Sequence, residues 1–359
     1  MTPYPTARAA NRTPAAGRTL TVMKYPNVKN AHIVPRAYLE NFAVDGKITV
    51  QLVEERQQLV LPVENVGTRR RFYRRKRPDG TYIDDIEWSL GQLEGVAAPV
   101  LRDFEERWPL EDDDKQKLAE LFAFQLLRGP RYKTEYEAMT QRFIDEYNER
   151  EDIESVDPEE MAAFDEALIG DSYRLTRMLV MGLTLTSIFA STHWTLVEFG
   201  SPVLATSDHP VVIWPGGGAL TPQAVPLLGA GILEFLEYRL PLSPTRGVLM
   251  TWADQPDDEA TRVQGSHHHA MNFNAFTIAN ADRQWFFLPE TSPPRAAGTI
   301  LPLSPELVRG YTPEGAARSE RRAQVSAHAN EKVGRELSDR EVMRVKVSRP
   351  RTEQRERTT

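Results

Sequence analysis

The sequence predicts an α+β protein, predominantly helical, with a small antiparallel sheet formed mainly by residues after about 193. Three observations carry that expectation. Apolar residues recur at three- and four-residue spacing through most of the stretch from 85 to 192. From His193 onward the pattern changes to short runs rich in Val, Leu and Trp, bounded by Gly, Pro and Asp. A chain of 359 residues, 40% hydrophobic and 26% charged, is long and apolar enough to bury a core.

Taken in order, residues 1–27 read as an unstructured extension. No acid occurs before Asn30, whereas Arg8, Arg12, Arg18, Lys24 and Lys29 are basic. Met23 is the expected start of translation, and the intact mass of natively expressed protein tests this. Residues 28–290 form the expected α+β domain. Pro35 suits the first position of a helix, and Tyr38, Leu39 and Phe42 follow with one apolar side. His32 would then stand before a helix terminus whose unpaired N–H groups disfavour a protonated imidazole. Asp45-Gly46 is a turn between that helix and an alternating strand over Lys47 to Val53, with Gln58 to Val63 as its hairpin partner.

Thr68 to Arg77 is a basic ribbon: Arg69, Arg70, Arg71, Arg74, Arg75, Lys76 and Arg77 surround Phe72 and Tyr73, and Pro78-Asp79-Gly80 turns the chain. Asp84 and Asp85 start a long helix carrying Ile86, Leu90, Leu93, Ala97, Val100, Leu101 and Phe104, kinked at Pro99 and ended by Trp108-Pro109. A second helix runs from Glu111–Asp114 to Arg128-Gly129-Pro130, and a third from about Tyr132 to Tyr147. An acidic connection over 149–158 leads back to helix over 159–192, where Met178 to Ala190 reads as a buried segment too short to span a bilayer. Short strands follow near 195–199, 203–205, 211–214, 238–240 and 247–252. Gly216-Gly217-Gly218 opens a flexible loop between them. Residues 257–281 read as helix and 284–288 as a last strand. A proline-rich segment (291–314) and a charged, partly helical or disordered tail (315–359) complete the chain.

The net charge of −7 argues against wholesale polyanion binding, so contact with nucleic acid would need a local patch. The chain has no cysteine, which excludes disulfides, thiolate nucleophiles and Cys-based zinc sites and suits a reducing cytoplasm. Phosphate-binding loops, His-Glu-x-x-His, Gly-x-Ser-x-Gly and dinucleotide glycine signatures are all missing. His267-His268-His269 is not a metal site, because consecutive helical residues diverge.

Several polar residues are candidates for chemistry. Ser207-Asp208-His209-Pro210 lies between strands, and Pro210 interrupts the ladder, so Asp208 could orient an imidazole or act as a base. A plain turn capped by Ser207 and Asp208 explains the same residues. Glu87 and Glu94 are two helical turns apart on one face, where carboxylates can hold a divalent metal, divide acid and base roles, or pair with Arg128 and Arg131. Those two arginines could instead grip a phosphate or carboxylate.

The run His32-Ile33-Val34-Pro35-Arg36-Ala37-Tyr38-Leu39-Glu40-Asn41-Phe42 resembles the opening motif of the DUF4238 family, a mainly bacterial family of unknown function. Similar motifs follow in the family's order: Phe72-Tyr73 with Glu87 and Leu93-Glu94, then Arg128-Gly129-Pro130-Arg131, Ala205 to Pro210, and Leu240-Pro241-Leu242-Ser243-Pro244. The family more often has Asn where His209 stands. The resemblance covers about residues 28 to 290 and implies a fold and candidate positions, but no established reaction.

The resulting expectation is a cytoplasmic hydrolase acting on a phosphate-bearing substrate, a small nucleotide or a nucleic acid, without a membrane partner. His32 and Asp208 would be catalytic. Arg36, Ser207, Arg128, Arg131, Glu87 and Glu94 would bind substrate or a divalent metal. The alternative is a non-catalytic nucleic-acid-binding protein using the ribbon 69–77.

Overall fold

The computed structural model describes residues 29–295 except 78, 149–167, 169, 215–236 and 252–260. The N-terminal extension, the acidic connection, the glycine loop, most of the proline-rich segment and the charged tail lie outside those residues.

The chain enters through β1 (Asn30–His32), which pairs antiparallel with β4 (Thr68–Arg70). Between them lie the short helix α1 (Arg36–Glu40), a turn at Asp45-Gly46 whose positive φ values lead the chain into β2, and the hairpin of β2 (Lys47–Leu52) and β3 (Gln58–Pro62). Pro35 caps α1 instead of opening it, and Tyr38, Leu39 and Phe42 are all buried as their spacing predicts. β5 (Arg75–Lys76) and β6 (Tyr82–Ile83) make a second small ribbon.

Four long helices follow: α2 (Asp85–Arg102), α3 (Asp112–Leu127), α4 (Pro130–Asn148) and α5 (Asp171–Ser191). α2 ends six residues before Trp108, one turn after Pro99, whose carbonyl accepts the Asp103 N–H. α3 is the central helix, with every residue from Leu118 to Leu127 except Glu120 buried. It packs closely on α5, where a Cβ at Gly182 would lie 2.5 Å from the Phe124 ring. α5 buries Met178, Leu185, Ile188 and Phe189 but leaves Val180 and Leu183 exposed, so the predicted buried segment is buried on one side only.

The sheets correct the expected architecture. The described residues hold six α-helices and four sheets of five, four, two and two strands, in place of a predominantly helical chain with one small sheet. The five-stranded sheet has the order β12-β7-β11-β10-β9, from β7 (His193–Glu198), β9 (Val212–Trp214), β10 (Glu237–Ser243), β11 (Arg246–Thr251) and β12 (Thr261–Gln264). β12 runs parallel to β7, and its residues belong to the stretch expected to be helical; α6 begins only at His267 and runs to Ala279. The four-stranded sheet, β3-β2-β13-β8, joins the N-terminal hairpin to β13 (Gln284–Phe287) and β8 (Thr206–Ser207). Its register sets Leu52 opposite Gln284. Pairing over that separation in sequence leaves no local trace, because strand periodicity reports which face is buried and not which strand is the neighbour. The largest apolar core draws on residues from Ala31 to Phe286, and a second cluster fills the space between the five-stranded sheet and α6.

Candidate functional site

His32 ends β1, so its setting is a strand end; α1 is a five-residue helix that begins at Arg36, after Pro35. Its backbone is held from two sides. Its N–H donates to Glu87 Oε1 at 3.3 Å, and its carbonyl accepts from the Arg128 guanidinium. α2 supplies both carboxylates from one face, as their seven-residue spacing predicts. Glu94 Oε1 accepts from Arg128 Nη1 at 2.6 Å. Arg128 caps the end of α3 and is buried, with Tyr73 donating its hydroxyl to the Arg128 carbonyl at 2.7 Å. Gln125, one turn earlier, donates to the Ile33 carbonyl at 2.9 Å. Arg128 is therefore committed to Glu94 and to the β1 backbone, a clamp and not a free anion receptor.

Burial lowers the His32 pKa below its ordinary value, opposed by Glu94 and assisted by Arg128 and Arg36. Burial also pushes the Glu87 carboxyl up to about 7, against the pull of Arg128 and the His32 N–H. The His32 Nε2 and Glu87 Oε2 atoms are both buried and make no hydrogen bond among the described residues. Both residues as a whole are half-buried. Arg36 is exposed and pairs with Glu40, one helical turn away at 2.9 Å.

Asp208 occupies a different centre. It follows β8 directly and is fully buried. Its Oδ1 accepts the Asp282 N–H at 2.8 Å, and its Oδ2 accepts those of Arg283 at 2.9 Å and Gln284 at 3.2 Å. Ser207 Oγ, equally buried, accepts the His209 N–H at 3.1 Å. The Ser207 side chain thus closes the turn, while the Asp208 carboxylate binds the distant backbone leading into β13. Burial pushes the Asp208 carboxyl up to about 6 although those N–H groups pull it down.

The β1–β4 register separates His32 from Asp208. Directly opposed residues share a face, and faces alternate along a strand. Ala31 pairs with Arg69 and His32 with Thr68, so Arg69 and His32 point to opposite faces. Arg69 binds Asp282 at 2.9 Å, which marks its face as the one turned to the Asp208 turn. The charges acting on His32 are Glu94, Arg128 and Arg36; those acting on Asp208 are Asp282 and Arg69. The expected His32–Asp208 pair thus becomes two centres on either side of one ribbon.

His209 joins the Asp208 turn to the Arg128-Gly129-Pro130-Arg131 turn. A Cβ at Gly129 would lie 2.1 Å from the imidazole Cε1, so the ring packs directly on that backbone. Burial, then Arg131, hold the His209 pKa down at about 4. Asn280 completes the joint, donating to the His209 carbonyl at 2.8 Å and accepting from Arg131 Nη1 at 2.9 Å. Arg131 also binds Glu135 at 2.9 Å.

The basic ribbon is more neutral than its composition suggests. Arg69, Arg74 and Arg75 bind Asp282, Asp84 and Asp85. Tyr73 is buried, and the half-buried Phe72 lies edge-on to it beneath Arg174. Neither ring is presented for base stacking, and the exposed cations are Arg70, Arg71, Lys76 and Arg77.

Sequence reasoning missed Gln125, Asn280 and Asp282, and also the Tyr38 hydroxyl, which bonds Thr206 Oγ1 at 2.7 Å and the Pro241 carbonyl. Asn280 and Ala281, read only as the end of a helix, and Asp282 after them held the available signal: a polar turn between two apolar elements. Among the described residues no three His, Asp or Glu side chains are grouped to hold a metal ion, and no helix is long and apolar enough to cross a membrane.

Neither the curated proteins nor the solved structures gave a match. The family model described as "Protein of unknown function (DUF4238)" matches residues 30–291, a span that begins at β1, ends just after β13 and takes in every element placed above. On that match, the chain belongs to the DUF4238 family.

Proposed function

We propose that the protein is a hydrolase of a phosphate-bearing substrate, a nucleotide or nucleic acid, with His32 and Glu87 as its acid–base pair. The supporting observation is the pair of buried atoms, His32 Nε2 and Glu87 Oε2, that make no hydrogen bond among the described residues. A neutral imidazole can accept a proton, and a carboxyl with a pKa near 7 can donate one at neutral pH. His32 Nε2 takes a proton from water as the water oxygen attacks phosphorus. The bond from phosphorus to the leaving oxygen breaks, and that oxygen takes the Glu87 proton. Arg36 binds the phosphate: its exposed pair with Glu40 is worth only about 0.5 kcal/mol and yields to a doubly bonded phosphate. Asp208 and Arg128 hold the surrounding backbone.

The test is release of product from p-nitrophenyl phosphate, its bis ester and a panel of nucleotides, with and without magnesium. His32→Ala and Glu87→Gln are expected to lower kcat by about 100-fold or more with the fold retained by circular dichroism. Arg36→Ala should raise KM several-fold with kcat little changed. No turnover of any substrate, or full activity in Glu87→Gln, would overturn the reading.

The pH profile follows from the same groups. Activity needs Glu87 protonated and His32 neutral, so the rate should fall as pH rises past about 7. It should fall again on the acid side, below the ordinary histidine value of 6.5. A rate that keeps climbing above pH 8 is incompatible with Glu87 as the acid.

A further inference from the structure

We infer that the phosphate-bearing substrate is a nucleic-acid strand, and that Arg70 with Asn30 binds the phosphate one nucleotide away from the one attacked at His32. This substrate class rests on the hydrolytic role proposed for His32, Glu87 and Arg36. The register of the β1–β4 ribbon supplies the geometry. Asn30 stands opposite Arg70, and His32 opposite Thr68. Those four residues share one face, because faces alternate along a strand. Arg70 is the diagonal neighbour of His32, with the two backbone positions about 7–8 Å apart. Ala31 and Arg69 occupy the other face, where Arg69 is bound to Asp282.

The His32 face opens to solvent toward its outer end. His32 and Thr68 are half-buried, whereas Asn30 and Arg70 are exposed. Neither Arg70 nor the exposed Lys29 and Arg71 at the end of the ribbon forms an ion pair among the described residues. The Arg71 N–H donates to the Lys29 carbonyl at 3.1 Å, which keeps those two positions side by side. The acids of the surrounding elements do not cancel these charges, because Glu94, Asp84, Asp85 and Asp282 are bound to Arg128, Arg74, Arg75 and Arg69. The ribbon thus carries a local positive surface on a chain of net charge −7.

Arg36 and Arg70 lie on either side of His32 along the chain. Arg36 is in the helix that follows β1, and Arg70 stands opposite the residue two positions before His32. From His32 out to Lys29 the ribbon runs for about 10 Å, longer than one phosphate group, so its cations suit an anion repeated along a chain. In a nucleic-acid strand the sugar spaces successive phosphates, and one meets His32 and Arg36 while the next meets Arg70. A guanidinium fork binds two phosphate oxygens, and the Asn30 amide and Thr68 hydroxyl are further donors to phosphate or sugar. Phe72 and Tyr73 are not presented for stacking, so the strand is held by its backbone and its base sequence is not read. The bond broken is the diester bond at His32. Water adds to phosphorus as His32 takes its proton, and the departing sugar oxygen takes the proton of Glu87.

Binding and turnover, measured separately, distinguish the strand site from the hydrolysis. Fluorescein-labelled oligothymidylate and oligouridylate are titrated with the full chain by anisotropy over a salt series, with unlabelled dTTP as competitor. At least one strand should bind, and the tighter of the two assigns the sugar. Arg70→Ala should weaken binding by about tenfold and lower the slope of log K against log salt by about 1. Lys76→Ala removes an equal exposed charge from the β5–β6 ribbon and should leave affinity nearly unchanged. The contiguous phosphates of dTTP should compete weakly and without dependence on Arg70. In turnover, Arg70→Ala should raise KM for the oligonucleotide by about tenfold and leave bis(p-nitrophenyl) phosphate, which has no second phosphate, unaffected. No strand binding, strand binding indifferent to Arg70, an equal loss in Lys76→Ala, or dTTP competing as strongly as the strand would overturn the inference and leave the hydrolysis standing. Arg70-dependent strand binding without turnover of any substrate would overturn the hydrolysis and leave the strand site in place.

Discussion

Replacing Asp208 with Ala is expected to destabilise the fold by roughly 4 kcal/mol, the largest single effect anticipated for any polar residue of this protein. The reason is geometric. One fully buried carboxylate accepts three consecutive backbone N–H groups, from Asp282, Arg283 and Gln284, and so fixes the chain as it enters β13. β13 in turn lies between β2 and β8, so the N-terminal hairpin is joined to the rest of its sheet through the strand that Asp208 anchors. Removing the carboxylate strips three part-buried backbone donors of their partner, at about 1–3 kcal/mol for each one that water does not reach. Asn retains one acceptor oxygen but turns an amide donor toward a backbone N–H, so Asp208→Asn should lose about half as much. Urea denaturation measures both as a lower midpoint at unchanged slope. A loss below about 1 kcal/mol for Asp208→Ala would show that the clasp is not holding the strand, and would return Asp208 to consideration as a catalytic base.

Gly129→Ala should cost roughly 3 kcal/mol, because the new methyl has no room. Its carbon would sit 2.1 Å from His209 Cε1, and within 2.9 Å of both ring nitrogens. The imidazole is buried and cannot swing into solvent. His209→Asn shortens that side chain, and in its background Gly129→Ala should be cheaper by about 2 kcal/mol, the coupling expected of two groups in direct contact. Additive losses in the double variant would mean that the two residues do not touch. The same pair reports on pH. His209 titrates near 4 in the fold and near 6.5 when unfolded, so the unfolded chain binds the extra proton between those values. Stability contributed by the neutral ring is complete above pH 6.5 and is lost as pH falls toward 4. Across that window the unsubstituted chain should lose roughly 3 kcal/mol relative to His209→Asn. Parallel stability curves for the two would exclude a buried, neutral His209.

Much of the local structure was legible in the residues. Tyr38, Leu39 and Phe42 predict the buried side of α1; Asp45-Gly46 predicts the turn from α1 into β2; Glu87 and Glu94 predict one face of α2. These are short-range consequences of helical and strand periods, and the family motifs mark the same places. The stretch before His267 misled because Thr261 to Gln264 gains its strand conformation only from pairing with β7. The alternative explanations of the site residues also separated cleanly once partners were known. Arg128 with Glu94 is an ion pair, as the spacing alone allowed, and the 207–210 turn closes on Ser207 as a turn would.

By itself, then, the sequence determined where most of the helices and turns form, the lack of thiol chemistry and the family. Tertiary structure alone decided which polar residues face one another. It put His32 with Glu87 and not with Asp208, gave Asp208 to the backbone of β13, and set Arg70 on the His32 face of the β1–β4 ribbon. The physical reason is that periodicity encodes the direction of a side chain relative to its own backbone, whereas a site is made by strand register and helix docking between segments far apart in the chain.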